Sequence, residues 1–145
     1  MPVSLSTFDL ADVARECANR STGNVIVTPT GECLVTADRQ GMVNVMANLM
    51  ENAEKYSPAN APIEVGWVKS ETGVHISIAD RGMGISDADK SRVCERFYRA
   101  QAAATVPGIG LGLVYVKQVV EAHGGTVEIK DRPGGGTIFI IKLPQ

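Results

Sequence analysis

Met42, Val45, Met46, Leu49 and Ala53 recur at three- and four-residue steps. That spacing is one apolar stripe of a long helix, and such a stripe has to be buried against something. Asp38 stands where it can cap this helix, accepting from the free N–H groups of the first turn. Pro58 stops it near Tyr56, because proline disfavours helical geometry at Ser57 and donates no backbone bond. Upstream, residues 10–18 have helical spacing (Leu10, Val13, Ala14, Cys17), and 24–28 and 33–37 read as two short strands around a Pro29-Thr30-Gly31 turn. Downstream, 62–70 and 74–79 form a hairpin around Thr72-Gly73, and 87–97 is a short helical stretch. Residues 100–107 are small and weakly patterned, which predicts a mobile loop. A helix over 108–123 ends at Gly124-Gly125, and strands at 126–130 and 137–143 flank the turn Arg132-Pro133-Gly134. Helices interleaved with hairpin-type strands predict a single α/β domain over 1–145. Its form is a two-layer sandwich, a mixed and mostly antiparallel sheet packed against about three helices.

Composition narrows the class. Hydrophobic residues make up 44% and charged residues 21% of the 145 positions, which excludes wholesale disorder. A formal charge of −2, from 14 Lys+Arg against 16 Asp+Glu, leaves no electrostatic footprint for nucleic acid or for an anionic membrane. The first residues, MPVSLSTFDLADVA, lack the pattern of a signal peptide, and no apolar run reaches spanning length. Three scattered cysteines (Cys17, Cys33, Cys94) predict reduced thiols in a cytoplasmic setting rather than a disulfide frame or structural zinc. The 15 glycines gather in the second half, where the chemistry concentrates.

On the long helix Asn48, Asn52 and Lys55 project from one ridge beside the apolar stripe, with Asn44 a turn earlier. Asparagine is a mediocre helix former. The ridge is either a set of amide oxygens for a hard cation such as Mg2+, with Lys55 for a phosphate, or a solvated polar face with Glu51 and Glu54 supporting Lys55 from the solvent side. DRGMGI (80–85) follows an apolar strand: Asp80 can accept a specific N–H such as the adenine amine while Gly82 and Gly84 admit close approach, or the segment is a simple turn. GIGLGL (108–113) opens a helix with three glycines, either to hold phosphate oxygens on free N–H groups or to allow tight packing; no GxxxxGK[ST] is present. ERFYRA (95–100) sets Arg96 and Arg99 around Phe97 and Tyr98, to cap their own helix or to reach a phosphoryl group. His75, inside a strand, reads as a partly buried structural residue, and His123 as a partly cationic ring at a helix C-terminus.

NLMENAEKY, DRGMGI, ERFYRA, GIGLGL and GGGT, in that order over nearly the whole chain, resemble the nucleotide-binding boxes of sensor histidine kinase catalytic domains, the Bergerat fold of the GHKL superfamily. The resemblance implies bound Mg2+ and ATP. It places Asn48 and Asn52 near the metal, Asn52 foremost, with Lys55 on phosphate and Tyr56 against the adenine ring. Asp80 would accept the adenine amine in a pocket with Gly82, Gly84, Ile85 and, through water, Thr137. Arg96 and Arg99 would stand at the base of a lid over 98–107. Gly108, Gly110 and Gly112, with Leu111 and Leu113, would hold the triphosphate. The chain departs from the family's usual residues at Arg81, Cys94 and Ile109; Arg81 is expected to alter the purine-pocket rim and Cys94 to loosen the lid packing.

Water-activating members of the superfamily carry Glu where this chain has Asn48, and an amide cannot take a proton from water near neutral pH. An unprotonated imidazole needs no such base, so Asn48 favours phosphoryl transfer to histidine over hydrolysis. Neither His75 nor His123 resembles the acceptor. The partner implied is therefore a separate histidine-bearing helical dimerisation domain, with a response regulator indirectly downstream. The chain reads as an isolated, monomeric catalytic domain without direct membrane contact, from a parent that an inner membrane can anchor. The rival readings are a stand-alone serine kinase of the anti-sigma-factor type and a nucleotide-binding regulatory module without transferase activity.

Overall fold

The computed structural model describes residues 2–29, 31–58, 60–90, 92 and 112–145. The described elements run β1 (Leu5–Asp9), α1 (Leu10–Arg20), β2 (Asn24–Val27), β3 (Leu34–Asp38), α2 (Arg39–Tyr56), β4 (Pro62–Lys69), β5 (Gly73–Ala79), α3 (Asp87–Lys90), α4 (Gly112–Ala122), β6 (Thr126–Asp131) and β7 (Thr137–Pro144). The predicted ends of the helices at 87–97 and 108–123, and the loop between them, lie outside the described residues.

Five strands form one sheet in the order β2-β4-β5-β7-β6, parallel only between β2 and β4. β1 and β3 make a separate antiparallel ribbon, with Leu5 opposite Asp38 and Asp9 opposite Leu34. The layered, mostly antiparallel α/β architecture expected from the periodicity is thus present. The two short strands on either side of Pro29 do not pair with each other: β2 joins β4 and β3 joins β1. Residues 5–9, which carry no strand signal of their own ahead of α1, supply β3's partner.

Strand alternation sends Ile63, Val65, Trp67, Val74, Ile76, Ile78, Phe139, Ile141 and Leu143 to one face of the sheet, where they are buried; Glu64 and His75, on alternate positions, are exposed. His75 is therefore not the partly buried residue expected. The inner face meets the stripes of α1 (Leu10, Val13, Cys17), α2 (Met42, Val45, Met46, Leu49) and α4 (Val116, Val119, Val120). α2 buries Val43 and Met50 as well, because α1 lies along one of its sides and α4 along another. Burying one such side chain stabilises the fold by about 1.5–3 kcal/mol.

Polar groups fix how α2 sits. Asp38 caps it, its Oδ1 accepting from Gly41 N at 3.0 Å, while Oδ2 accepts from Ser4 N at 3.1 Å. The Asp38 N–H donates to His123 Nε2 at 2.9 Å, and Nδ1 of that ring lies 2.8 Å from the Val119 carbonyl. Nε2 must therefore carry the lone pair and Nδ1 the proton, so a neutral ring satisfies both partners. This replaces the partly cationic His123 expected at a helix end. At the other end Glu54 accepts from the Ser21 hydroxyl, Thr22 Oγ1 and Gly23 N, tying α2 to the turn after α1. It is not a solvent-side charge. Gln145 closes the ribbon onto the sheet: its Oε1 accepts from Thr36 N at 2.7 Å, its Nε2 donates to Thr36 O at 3.0 Å, and its own N–H donates to Thr72 O.

The Gly41 N–H first, and the Ser4 N–H after it, hold the Asp38 carboxyl below its ordinary value. A depressed carboxyl contributes stability at neutral pH that is lost as pH falls through its folded value. Asp38→Ala is expected to cost about 1 kcal/mol in urea unfolding at pH 7, with the difference from the parent shrinking towards pH 3.

Candidate nucleotide site between helix and sheet

β5 delivers Asp80 at its end, only 6% exposed. Its Oδ1 accepts from Gly82 N at 2.8 Å and Thr137 N at 3.2 Å, and its N–H donates to Thr137 O at 2.9 Å. Oδ2 receives no bond from the described residues, so the carboxylate is half satisfied and keeps one acceptor open. Burial pushes this carboxyl above its ordinary value; the Gly82 and Thr137 N–H groups and the charge of Arg132 oppose that rise.

Glycines let three segments converge here. A Cβ on Gly82 would lie 2.5 Å from the Tyr56 carbonyl oxygen, so the loop after β5 can press on the end of α2 only without a side chain. Gly82 thus serves backbone packing between the loop after β5 and the end of α2. At Gly136, with φ +110°, a Cβ would lie 2.0 Å from Asp80 O, so the β6–β7 turn lies directly on Asp80. Arg81 reinforces this seam: its Nη1 donates to the carbonyls of Pro133 at 2.5 Å and Gly135 at 3.0 Å. The side chain expected to alter the rim is engaged by the neighbouring turn. Arg132, 8% exposed, pairs with Glu64 across the sheet. Neither Arg132 nor Gly136 was given a role from sequence; Arg132 reads there only as a turn residue, while the GGGT run marked Gly136 without explaining it.

The other end of the site lies on the asparagine ridge. Asn48 Nδ2 donates to Asn44 O at 2.8 Å. A carbonyl only accepts, so the contacting atom must be the amide nitrogen, and Oδ1 is the atom left to face outward. It faces Gly112 at the start of α4, where a Cβ would lie 3.1 Å away. The Asn52 side chain, half-buried, has no partner among the described residues. Lys55 pairs with Glu51 at 3.2 Å on the helix surface, a contact worth little in water. Tyr56 is half-buried beside Gly82, and Ile85 and Leu113 pack against the core. The fold therefore draws Asp80, Gly82, Thr137 and Tyr56 together at one end of α2, and Asn48 and Gly112 together two turns back. Arg96, Arg99, Gly108, Gly110 and Leu111, with Cys94 and Ile109, lie outside the described residues. No group of three or more His, Cys, Asp and Glu able to hold a metal occurs among the described residues.

A half-satisfied buried carboxylate and an amide ridge are thus joined along one helix over a mixed sheet, and the chain that carries them belongs to an ATPase family. Residues 37–145 match the family of histidine kinase-, DNA gyrase B- and HSP90-like ATPases. Within that family the chain is 42% identical over 116 residues to the signal transduction histidine-protein kinase/phosphatase MprB of Mycobacterium sp. (strain KMS), covering 76% of this chain and 22% of that protein. It is 38% identical over 112 residues to the sensor-like histidine kinase SenX3 of Mycobacterium tuberculosis (strain ATCC 25618 / H37Rv), covering 76% and 27%. The chain thus spans about a quarter of the length of these relatives. The solved structure of a mycobacterial sensor histidine kinase MprB superposes with a TM-score of 0.83 at 31% identity, over 96% of this chain and 97% of that one. No helix among the described residues is long and apolar enough to cross a membrane.

Asp80→Asn keeps a carbonyl oxygen for the Gly82 and Thr137 N–H groups and removes a charge that burial disfavours. Its melting temperature is expected to equal or exceed the parent's at pH 7. Any gain shrinks as pH falls through the raised Asp80 value, because the parent then sheds the same charge; scanning fluorimetry across pH 4–8 checks the sign.

Proposed function

We propose that this chain is the catalytic domain of a sensor histidine kinase, which binds Mg2+-ATP and delivers the γ-phosphoryl group to a histidine on a separate helical dimerisation domain. The observation that carries this reading is the spacing of the two ends of the site. Asp80 stands against the Tyr56 end of α2 and Gly112 against Asn48, eight residues back, which is about 12 Å along a helix. That is the reach from a purine to its phosphates.

In this reading the open Oδ2 of Asp80 accepts the adenine amine; guanine would present an oxygen there and be repelled. Gly84, at φ +76°, Ile85, Thr137 and Tyr56 shape the purine pocket. Asn52 and the outward Oδ1 of Asn48 fit a hard, oxygen-seeking ion, since both amides keep an acceptor unspent. Bound there, Mg2+ would neutralise phosphate charge. Lys55 leaves its exposed pairing with Glu51 for a phosphate at little cost. Backbone N–H groups around Gly112 and Leu113, with Gly108, Gly110 and Leu111, would hold the triphosphate in this reading. Arg96 and Arg99 bring guanidinium groups to the transferring phosphoryl. Asn48 cannot act as a base towards water, so hydrolysis is slow, while a neutral imidazole attacks unaided. The residues of this chain hold and orient, which is most of what phosphoryl transfer requires.

The names of the relatives support the same assignment. It makes 1–145 one catalytic domain that works as a monomer on the cytoplasmic side, contacts neither membrane nor nucleic acid directly, and serves a response regulator through the phosphorylated histidine. Calorimetry should find an ATP analogue binding more tightly with Mg2+ than without, and GTP binding far more weakly. Asn52→Ala should remove the Mg2+-dependent gain, tenfold or more, without changing the circular dichroism spectrum. Supplied with a histidine-bearing helical hairpin and labelled ATP, the domain should give an acid-labile label. An acid-stable label on serine, or none with binding intact, would overturn the transfer step.

A further inference from the structure

α2 and α4 pack antiparallel along a seam with three rungs. A Cβ on Gly41 would lie 3.2 Å from Val119 Cγ1, Asn44 Nδ2 donates to the Tyr115 hydroxyl at 2.9 Å, and Asn48 Oδ1 faces Gly112. Residues 41, 44 and 48 on one helix thus meet 119, 115 and 112 on the other, one helical turn per step. The outer rungs involve glycines, which permit close approach but do not select one registration of the helices. The middle rung is directional. Asn44 is itself held on every side: its Oδ1 accepts from Gln40 Nε2 at 3.0 Å, and its backbone carbonyl accepts from Asn48 Nδ2. One asparagine therefore fixes both the amide orientation of Asn48 and the position of Tyr115, three residues from the glycine that opens α4.

We propose that Asn44 and Tyr115 are a positioning pair, setting the start of α4 against the Asn48 amide and so tuning affinity for the phosphate end of the nucleotide without touching it. This rests on the nucleotide-site reading above. The purine end, built by Asp80, Gly82 and Thr137, is held by other contacts and does not depend on this rung. Loss of the hydroxyl should therefore separate the two ends of the ligand, which a general loss of stability would not do.

The test measures two ligands on the intact chain: a Mg2+-ATP analogue, and adenosine, which lacks phosphates. Tyr115→Phe keeps the ring and removes the bond. It should weaken the analogue about fivefold, in keeping with one neutral hydrogen bond, and leave adenosine affinity at the parent's value. Asn44→Leu should do the same, and the double variant should be no worse than either single change, since both remove one interaction. Parent-like affinity of Tyr115→Phe for the analogue, or equal weakening of both ligands, overturns the pairing while leaving the site reading intact. A parent chain that binds neither ligand overturns both.

Discussion

α2 has to do two incompatible things at once, and the rest of the structure depends on how it does them. Its apolar stripe must be covered to hold the sheet and three helices together, yet its asparagine ridge must remain reachable. The solution is to bury it from the sides. α1 and the sheet take the stripe, α4 takes the flank next to the ridge, and the turn after α1 is tied down by Glu54. Several parts of the candidate site then take their position from this helix: Gly82 from the Tyr56 carbonyl, Gly112 from the Asn48 amide, and Tyr115 from Asn44.

The carboxylate at the far end shows the same economy of contact. A buried Asp is disfavoured as an ion, and two backbone N–H groups with the nearby charge of Arg132 only partly offset that. What remains without a partner among the described residues is one oxygen, beside Gly82 and Gly136. A group that is costly to keep charged and has one free acceptor is well placed to discriminate between ligands, because a ligand that donates to it recovers more than water does.

Much of this was legible in the chain. The stripe, its Asp38 cap and its Pro58 stop define α2 to within a residue, since each is a local effect of backbone geometry. The order of the glycine-bearing boxes carried the family. Pairing was less legible: β2 and β3 are neighbours in sequence but belong to different sheets, because their partners lie in residues 5–9 and 62–69, and no local rule selects distant partners. His123 reads as a charge at a helix end only while the Asp38 N–H that claims its lone pair is unknown. The seam contacts of Tyr115, Arg81 and Arg132 were likewise invisible, since each depends on a residue more than 40 positions away reaching the same place.

Gln145 and Ser4 both fasten to the small ribbon, one through Thr36 and the other through Asp38. Gln145 also lies beside Thr72, at the end of β5 remote from Asp80, about 20 Å away for a strand of seven residues. Ser4 and Gln145 thus clamp the ribbon at the end of β5 away from Asp80. Slackening that clamp would leave the carboxylate's own bonds to Gly82 and Thr137 untouched, because they are made at the opposite end of the strand.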